Sequence, residues 1–366
     1  MKKFFLMAAV VVCALLVSVT LLARFPVGMM NRSPKEIQKI GIIMNGSIED
    51  RSYSQAQYDA IMEVVEEKNL EVICREKIAA DENFITIAEE LIQDGCGIIF
   101  CDNYLFDIYL KELAAAHSDI YFMNASGTET ADNLSSYLGR VYQARYLTGL
   151  IAGLETKTNE IGYILACLTP ETIRQLNAFT IGVKKVNPDA KVFVRRTDDW
   201  NDSEKAAAET LILLSDHDID ILTQHVNPIS PLRVADERGV KIIGNNYDNH
   251  ELFPRTYLTA CAFNWKPFFE ARMRECLDHE FIGRHYWEDI ESGLVYLAPV
   301  TELVSPEAEK IAEEELKRLI SGEFDVFFGP LTDIYGAEQV REGENLSDQR
   351  LLYDMYWFTD GVVMES

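Results

Sequence analysis

The sequence predicts an α/β protein of two lobes, each built on a doubly wound parallel sheet. Short apolar runs alternate with amphipathic runs of about 10–15 residues, a pattern typical of βαβ units and parallel sheets. The alternation restarts after Gly153, which indicates a second lobe connected like the first. A chain of 366 residues also exceeds the size of one typical core.

The N-terminal segment, residues 1–24, is predicted to be an export signal. Its residues 4–23 are almost all apolar and are followed by Arg24. This run is long enough to span a bilayer, and no small-x-small cleavage site is evident near Ala23. We expect an uncleaved anchor in the cell membrane, with the body on the extracytoplasmic face. Cleavage and release is the alternative, and residues 25–38 are predicted to be a linker.

The first lobe is predicted at residues 39–153. Its strands are predicted at 40–44, 70–74, 97–101, 120–123 and 134–139. Its helices are predicted at 54–68, 83–94, 105–117 and 141–154. Gly149 and Gly153 fall four residues apart on one face of the last helix, where small residues favour close approach by another element.

The second lobe is predicted at residues 154–259. Its strands are predicted at 161–166, 191–194, 220–224 and 240–244, and its helices at 171–186, 202–214 and 232–238. In the C-terminal part, helices are predicted at 268–278 and 305–320, and aromatic-rich runs occur at 324–329 and 352–358. Parts of 260–366 are expected to complete the first lobe.

Composition narrows the possible partners. A net charge of −25 argues against nucleic acid and against an anionic membrane surface, so membrane contact is expected through the N-terminal segment only. None of the seven cysteines forms a CxxC pair, and most lie in apolar runs, which favours free, buried thiols. No metal-binding or cofactor motif, GxSxG, P-loop or HExxH is present, so no metal, cofactor or catalytic residue is predicted.

Aromatic and polar side chains recur just after the predicted strands of both lobes. Ligands of open α/β sheets bind at the carboxyl ends of the strands, so we expect these side chains to line a cleft between the lobes. Aromatic faces combined with amide and carboxylate groups suit a flat heteroaromatic ligand. The predicted ligand-binding residues are Asp50, Tyr53, Asn124, Asn177, Phe179, Trp200, His225, Asn246, Asp248, Phe263 and Trp265.

Structural explanations compete at several of these positions. The loop 45–55 could simply cap the following helix, through Ser52 or Ser54. Phe179 is as well suited to a core as to stacking on a ligand, and a lone His225 is more often structural than functional.

Five segments resemble one known family, the basic membrane proteins, which are solute-binding proteins of bacterial ABC importers for purine nucleosides and related compounds. The segments are TADN (130–133), GRVYQARYLTGLIAG (139–153), IRQLNAFTIGVKKVNPDA (173–190), QH (224–225) and LTACAFNW (258–265). The resemblance runs from about residue 39 to residue 363. It implies a type I periplasmic-binding-protein fold that closes like a hinge, with an ABC permease and ATPase as partners.

In nucleoside-binding members of this family, aromatic rings hold the base, and carboxylates and a lysine hold the ribose. By this resemblance Phe179 corresponds to a base-stacking phenylalanine, and Asp248 retains a carboxylate. Asn124 and Asn246 stand where those members have carboxylates, and Phe263 stands near their lysine. These exchanges favour a bare purine base or a related heterocycle.

The resemblance therefore implies a non-enzymatic importer component that captures a purine base or purine nucleoside. The first alternative is a membrane-tethered sensor that uses the same cleft for signalling. The second is an enzyme such as a nucleoside hydrolase, with Asp50 or Asp248 as base, which only the presence of carboxylates supports.

Overall fold

The first lobe is built on a sheet in which all six strands run parallel. Its spatial order is β2-β1-β3-β4-β5-β11. The strands are β1 (Lys39–Ile43), β2 (Glu71–Arg75), β3 (Ile98–Cys101), β4 (Tyr121–Ala125), β5 (Leu134–Gly139) and β11 (His285–Glu288). The helices between β1 and β4 are α1 (Tyr53–Lys68), α2 (Asn83–Gln93) and α3 (Asp107–Ala116).

The second sheet repeats that order in its own strands, β7-β6-β8-β9-β10. These strands are β6 (Glu160–Leu165), β7 (Lys191–Arg196), β8 (Ile221–His225), β9 (Lys241–Asn246) and β10 (Tyr257–Phe263). Two later strands extend its edges: β12 (Val295–Leu297) runs antiparallel to β10, and β15 (Val362–Met364) lies parallel to β7. A small hairpin is formed by β13 (Leu331–Thr332) and β14 (Glu338–Val340).

The remaining helices are α4 (Tyr142–Glu155), α5 (Pro170–Val186), α6 (Ser203–Asp216), α7 (Ser230–Glu237), α8 (Lys266–Leu277), α9 (Pro306–Ile320) and α10 (Asp348–Tyr353). This computed structural model describes residues 36–365. The signal or anchor predicted at 1–24 lies outside the described residues, as does nearly all of the linker predicted at 25–38. Within 36–365, no helix has the length and apolar character needed to cross a membrane.

The predicted class, two doubly wound parallel sheets, is confirmed. The strands that were not predicted from the sequence are β10, β11, β12, β15 and the small hairpin. All of these except β10 have four residues or fewer and lie at a sheet edge or outside the main sheets, so they show no long apolar run. The seven-residue strand β10 falls in the segment 258–265, which was singled out only by the family resemblance. Six cysteines fall in the described part of the chain, and all six are free, as expected.

Helices α4 and α5 pack with their backbones in unusually close contact. Every residue of α4 except Leu154 is buried. A Cβ atom on Gly149 would lie 2.0 Å from the carbonyl oxygen of Phe179, and one on Gly182 would lie 2.2 Å from that of Tyr146. Gly149 and Gly182 are therefore required by the packing of the helices. The close approach predicted for the face of α4 that carries Gly149 and Gly153 is found, because a Cβ on Gly153 would also lie 2.8 Å from the Val183 carbonyl oxygen on α5.

The connections between the sheets converge at the base of the interlobe cleft. The chain leaves the first sheet after Gly139, leaves the second after Phe263 and returns to it at Val295. Phe263 and Val295 are paired across β10 and β12. A Cβ on Gly139 would lie 2.5 Å from Val295 Cγ1 and 2.7 Å from Phe263 Cε1. The three crossings thus meet in one contact between the lobes, called the hinge contact below.

Candidate ligand-binding site

A cavity lies between the lobes at the carboxyl ends of both sheets. In a sheet with this strand order, the connections after the first and third strands leave in opposite directions, and the resulting crevice is where ligands bind. Each lobe has such a crevice, and the two crevices face each other. Residues after β1 and β3 of the first lobe therefore lie opposite residues after β6 and at the end of β8 of the second. The lining residues are Asn45, Gly46, Tyr53, Asp102, Asn103, Tyr104, Ser126, Glu171, Gln175, Trp200, His225, Asn227, Asn246 and Phe263.

The cavity is small in this closed arrangement. The volume open to the centres of water molecules is about 50 Å³, within a total empty volume of about 540 Å³. One water needs about 10–15 Å³ by the first measure, so the closed cavity has room for only a few waters. Such a space suits a small, compact ligand.

Aromatic rings from both lobes form two walls of the cavity. On one side, the Phe263 ring stacks on Trp265 with centroids 4.6 Å apart and planes 18° apart. Tyr53 meets both rings edge-on, and its hydroxyl lies 3.0 Å from Ser126 Oγ. On the other side, Trp200 meets the His225 ring at 73° with a centroid distance of 5.4 Å.

The second lobe also presents polar groups without protein partners. Gln175 is 1% exposed and His225 is 3% exposed. Among the described residues, Gln175 Oε1 and His225 Nδ1 have no hydrogen-bond partner. Glu171, half-buried in the first turn of α5, lines the same wall. Burial raises the pKa of Glu171, and the positive charge of Arg174 opposes that rise.

A buried arginine lies beneath this wall. The guanidinium of Arg145 donates to Thr223 Oγ1 at 3.0 Å, to the Gln224 carbonyl oxygen at 3.0 Å and to Asn245 Oδ1 at 2.6 Å. Burial, aided by the charges of Arg145 and Arg174, lowers the pKa of His225 well below its usual value. His225 is therefore a neutral ring at physiological pH, with one donor and one acceptor nitrogen.

Two carboxyl groups organise the wall of the first lobe. Asp102 accepts from the backbone amide of Asn45 at 2.7 Å and from the Ser54 hydroxyl at 2.6 Å. Asp50 accepts from the backbone amides of Ser52, Ser54 and Gln55. Burial raises the pKa of each carboxyl to about 6.

Hydrogen bonds cross from lobe to lobe around the mouth of the cavity. Asn201 Nδ2 donates to Asn45 Oδ1 at 3.1 Å. Asn249 Nδ2 donates to the Arg51 carbonyl oxygen at 2.9 Å, and the Tyr247 hydroxyl donates to Asp59 at 3.3 Å. These contacts define a closed arrangement of the lobes.

Five of the predicted site residues line the cavity, namely Tyr53, Trp200, His225, Asn246 and Phe263. Asn246 has a left-handed backbone (φ 66°), and its side-chain amide lies 3.4 Å from Ser52 Oγ. Trp265 is 1% exposed and supports Phe263 from behind.

Three predicted residues lie near the cavity without lining it. Asp50 caps the start of α1, which is the structural alternative considered for that loop, although the cap is Asp50 and not Ser52 or Ser54. Asn124 is fully buried and donates to Asp107 at 2.7 Å. Asp248 accepts from the backbone and ring of His250.

The other two predicted residues, Asn177 and Phe179, lie deeper in the second lobe. Phe179 is fully buried and packs edge-on against Tyr163 at 5.7 Å. Asn177 donates to the Trp357 carbonyl oxygen and accepts from the Thr359 amide, which fixes the returning C-terminal segment. A helix rises about 1.5 Å per residue, so Phe179 lies roughly 6 Å further along α5 than Gln175.

Nine of the fourteen lining residues were not among those predicted, and five of the nine form two groups. Asp102, Asn103 and Tyr104 directly follow a predicted strand, so their position in the chain was a usable signal. Glu171 and Gln175 lie on the same helix as Asn177 and Phe179. Only the geometry shows that the first turns of this helix, and not its middle, face the cavity.

The two repeated sheets and the cavity between their carboxyl ends define a solute-binding protein of the type I periplasmic class. Residues 37–326 match the family described as ABC transporter substrate-binding protein PnrA-like. The chain belongs to this family, and it is a binding protein and not an enzyme.

Similar proteins agree with this assignment. A purine-binding protein of Brucella abortus (strain 2308) is 32% identical over 330 residues, covering 90% of this chain and 93% of that protein. A putative ABC transporter glucose-binding protein of Haloferax volcanii is 28% identical, covering 75% of this chain and 68% of that protein. An ABC transporter solute-binding protein structure from Aeropyrum pernix K1 has a TM-score of 0.69 at 16% identity, covering 78% and 92% of the two chains, and is alike in fold.

Proposed function

We propose that the protein captures a purine base or purine nucleoside in the interlobe cavity and delivers it to an ABC permease with its ATPase. The observation that carries this proposal is the pairing of aromatic rings on two walls with unpartnered hydrogen-bonding groups between them. A purine has two flat faces for stacking and a rim of donors and acceptors for amide groups. The purine-binding relative in Brucella supports the same ligand class.

Binding is driven by two terms. Tyr53, Phe263 and Trp200 provide stacking surface for the base, and base–aromatic stacking contributes about 1–3 kcal/mol per base. The buried groups of Gln175 and His225 can form hydrogen bonds with a ligand, because no protein group occupies them. An unpartnered buried polar atom costs about 1–3 kcal/mol, so a ligand of matching shape stabilises the closed form by satisfying these groups.

The permease recognises the form of the protein in which the two lobes are closed. The hinge contact of Phe263 with Val295 and Gly139 adjoins the cavity, since Phe263 belongs to both. A ligand seated against Phe263 therefore stabilises the closed form at the point about which the lobes move. We place the body of the protein on the extracytoplasmic face of the membrane, where an importer collects its solute.

The test is a tryptophan-fluorescence titration of the full chain with adenine, guanine, hypoxanthine, adenosine and glucose. Trp200 lines the cavity and Trp265 stacks behind Phe263, so a purine changes the emission in a saturable manner. Saturation with at least one purine and no response to glucose supports the proposal. Saturation with glucose alone, or no response to any purine, contradicts it.

Transport is tested separately. Cells lacking the protein lose high-affinity uptake of the radiolabelled purine that binds, and the wild-type chain restores it. Unchanged uptake in the deleted cells contradicts the delivery role and favours a sensor.

A further inference from the structure

The polar wall of the second lobe contains the carboxyl group of Glu171, which is near the charge of Arg174 but is not in contact with it. In the part of the chain that the structure describes, Glu171 forms no ion pair within 4.0 Å. Beside it, Gln175 is 1% exposed with Oε1 unpartnered, and His225 is 3% exposed with Nδ1 unpartnered. These three groups line one cavity, and the packing of the protein itself does not account for their polarity.

Glu171 and Gln175 act on the same part of any ligand. They are four residues apart on α5, so their side chains lie on one face of the helix about one turn apart. Both line the cavity, and no lysine or arginine is among its lining residues. A ligand edge that enters between the aromatic walls therefore meets a carboxylate and an amide together.

We infer that Glu171, with Gln175 beside it, selects a bare purine base that presents two adjacent N–H donors, as guanine does. This inference rests on the proposed function, and it names the ligand within that class. Neither residue was among those expected from the family resemblance.

The chemistry of the carboxylate gives the order of preference. An ionised carboxylate only accepts hydrogen bonds, and its two oxygens accept a pair of parallel donors. Guanine offers N1–H and the 2-amino group side by side, hypoxanthine offers N1–H alone, and adenine places the acceptor N1 at that edge. The order is therefore guanine, then hypoxanthine, then adenine.

The cavity is small in the closed form, with about 50 Å³ open to the centres of water molecules, which favours a compact base. A carboxylate in its wall also repels a phosphate group placed beside it, so nucleotides are disfavoured.

Isothermal titration calorimetry of the full chain with guanine, hypoxanthine and adenine tests this inference, using wild type, E171Q and E307Q. Glu307 is the matched control, because it is an exposed glutamate in the first turn of another helix, α9. We expect wild type and E307Q to bind guanine at least tenfold more tightly than adenine. Replacing Glu171 by Gln puts an amide donor opposite guanine, so E171Q loses about 10- to 100-fold in guanine affinity and gains affinity for adenine.

Glu171→Asp checks that charge is the cause, because it retains the carboxylate and the guanine preference at lower affinity. Thermal unfolding of each variant confirms that the fold is intact. Tighter binding of adenine than guanine by wild type, or an equal loss for all bases in E171Q, overturns the inference and leaves the proposed function standing. Binding of no purine by wild type overturns both.

Discussion

Asn201 in the second lobe donates a hydrogen bond to Asn45 in the first, with 3.1 Å between Nδ2 and Oδ1. Asn201 is held for this contact, because its own Oδ1 accepts from Asn227 Nδ2 at 2.9 Å. Asn45 is held in turn by Asp102, which binds its backbone amide, and by the Ile78 carbonyl oxygen, which accepts from its side chain. A fixed amide on each lobe thus joins the two across the mouth of the cavity.

Removing this bond is expected to weaken ligand binding without weakening the fold. Asn201→Ala removes a contact that exists only when the lobes are closed, and an exposed hydrogen bond contributes about 0.5–1.5 kcal/mol. Ligand affinity falls roughly 2- to 12-fold, while the unfolding temperature without ligand is unchanged. Calorimetry and thermal unfolding measure the two quantities. Asn83→Ala, at an exposed position on α2, is the control, and equal affinities of the two variants would argue against the cross-lobe role.

Trp200 is expected to supply a stacking surface that any flat side chain can partly replace. Trp200→Ala removes one aromatic wall of the cavity, at a cost of about 1–3 kcal/mol, or roughly 5- to 150-fold in affinity. Trp200→Phe retains most of that affinity. Titration of the purine that binds wild type distinguishes the two, and an alanine variant that binds like wild type would remove Trp200 from the site.

Gly149→Ala is expected to destabilise the protein, although alanine is the better helix former by about 1 kcal/mol. The added Cβ would lie 2.0 Å from the Phe179 carbonyl oxygen, so α4 and α5 must separate. Overpacking of this kind costs about 1–3 kcal/mol or more. Urea unfolding measures the change in the free energy of unfolding. A stabilised variant would contradict the prediction, because it would mean that the helices separate at no cost.

The buried carboxyl of Asp102 is expected to make stability fall as pH rises. Burial raises its pKa from 3.8 to about 6. The folded state therefore holds this proton more tightly than the unfolded chain, and the stability it provides is complete below pH 3.8 and lost as pH rises to about 6. The difference is on the order of 3 kcal/mol.

Asp102→Asn removes this pH dependence while keeping an acceptor for the Asn45 amide. The variant is expected to exceed wild type in free energy of unfolding at pH 7.5 and to lose that advantage near pH 4. Urea unfolding at the two pH values measures it, with the exposed Asp119→Asn as control. A difference from wild type that does not change with pH would assign the effect to packing and not to ionisation.

Most strands of the two sheets could be predicted from the sequence because they are short apolar runs between amphipathic helices. Runs such as 40–44 and 134–139 correspond to β1 and β5 within a residue or two. The edge strand β15 could not be found in this way. Its three residues pair with β7 because the C-terminal segment is held next to that strand. Asn177 contributes by forming hydrogen bonds with the backbone at Trp357 and Thr359.

Several residues predicted at strand ends line the cavity, whereas those predicted on helix α5 do not. Position in a parallel sheet is set by the strand, so Tyr53, His225 and Asn246 could be placed near the cleft from their distance to a strand end. Which turns of α5 face the cavity depends on how α4 packs against this helix. That packing is close because Gly149 and Gly182 each lie against the backbone of the facing helix. The sequence shows the glycines but not the contact, so it does not show that Phe179 lies one turn beyond the part of α5 that lines the cavity.

The most direct test of the account is a structure of the full chain crystallised with guanine. We predict density for the base in the interlobe cavity, with Phe263 or Tyr53 on one face and Trp200 on the other. The N–H edge of the base is expected within hydrogen-bonding distance, about 3.2 Å, of Glu171 or Gln175. Base density elsewhere on the protein, or an empty interlobe cavity at saturating guanine, would contradict it.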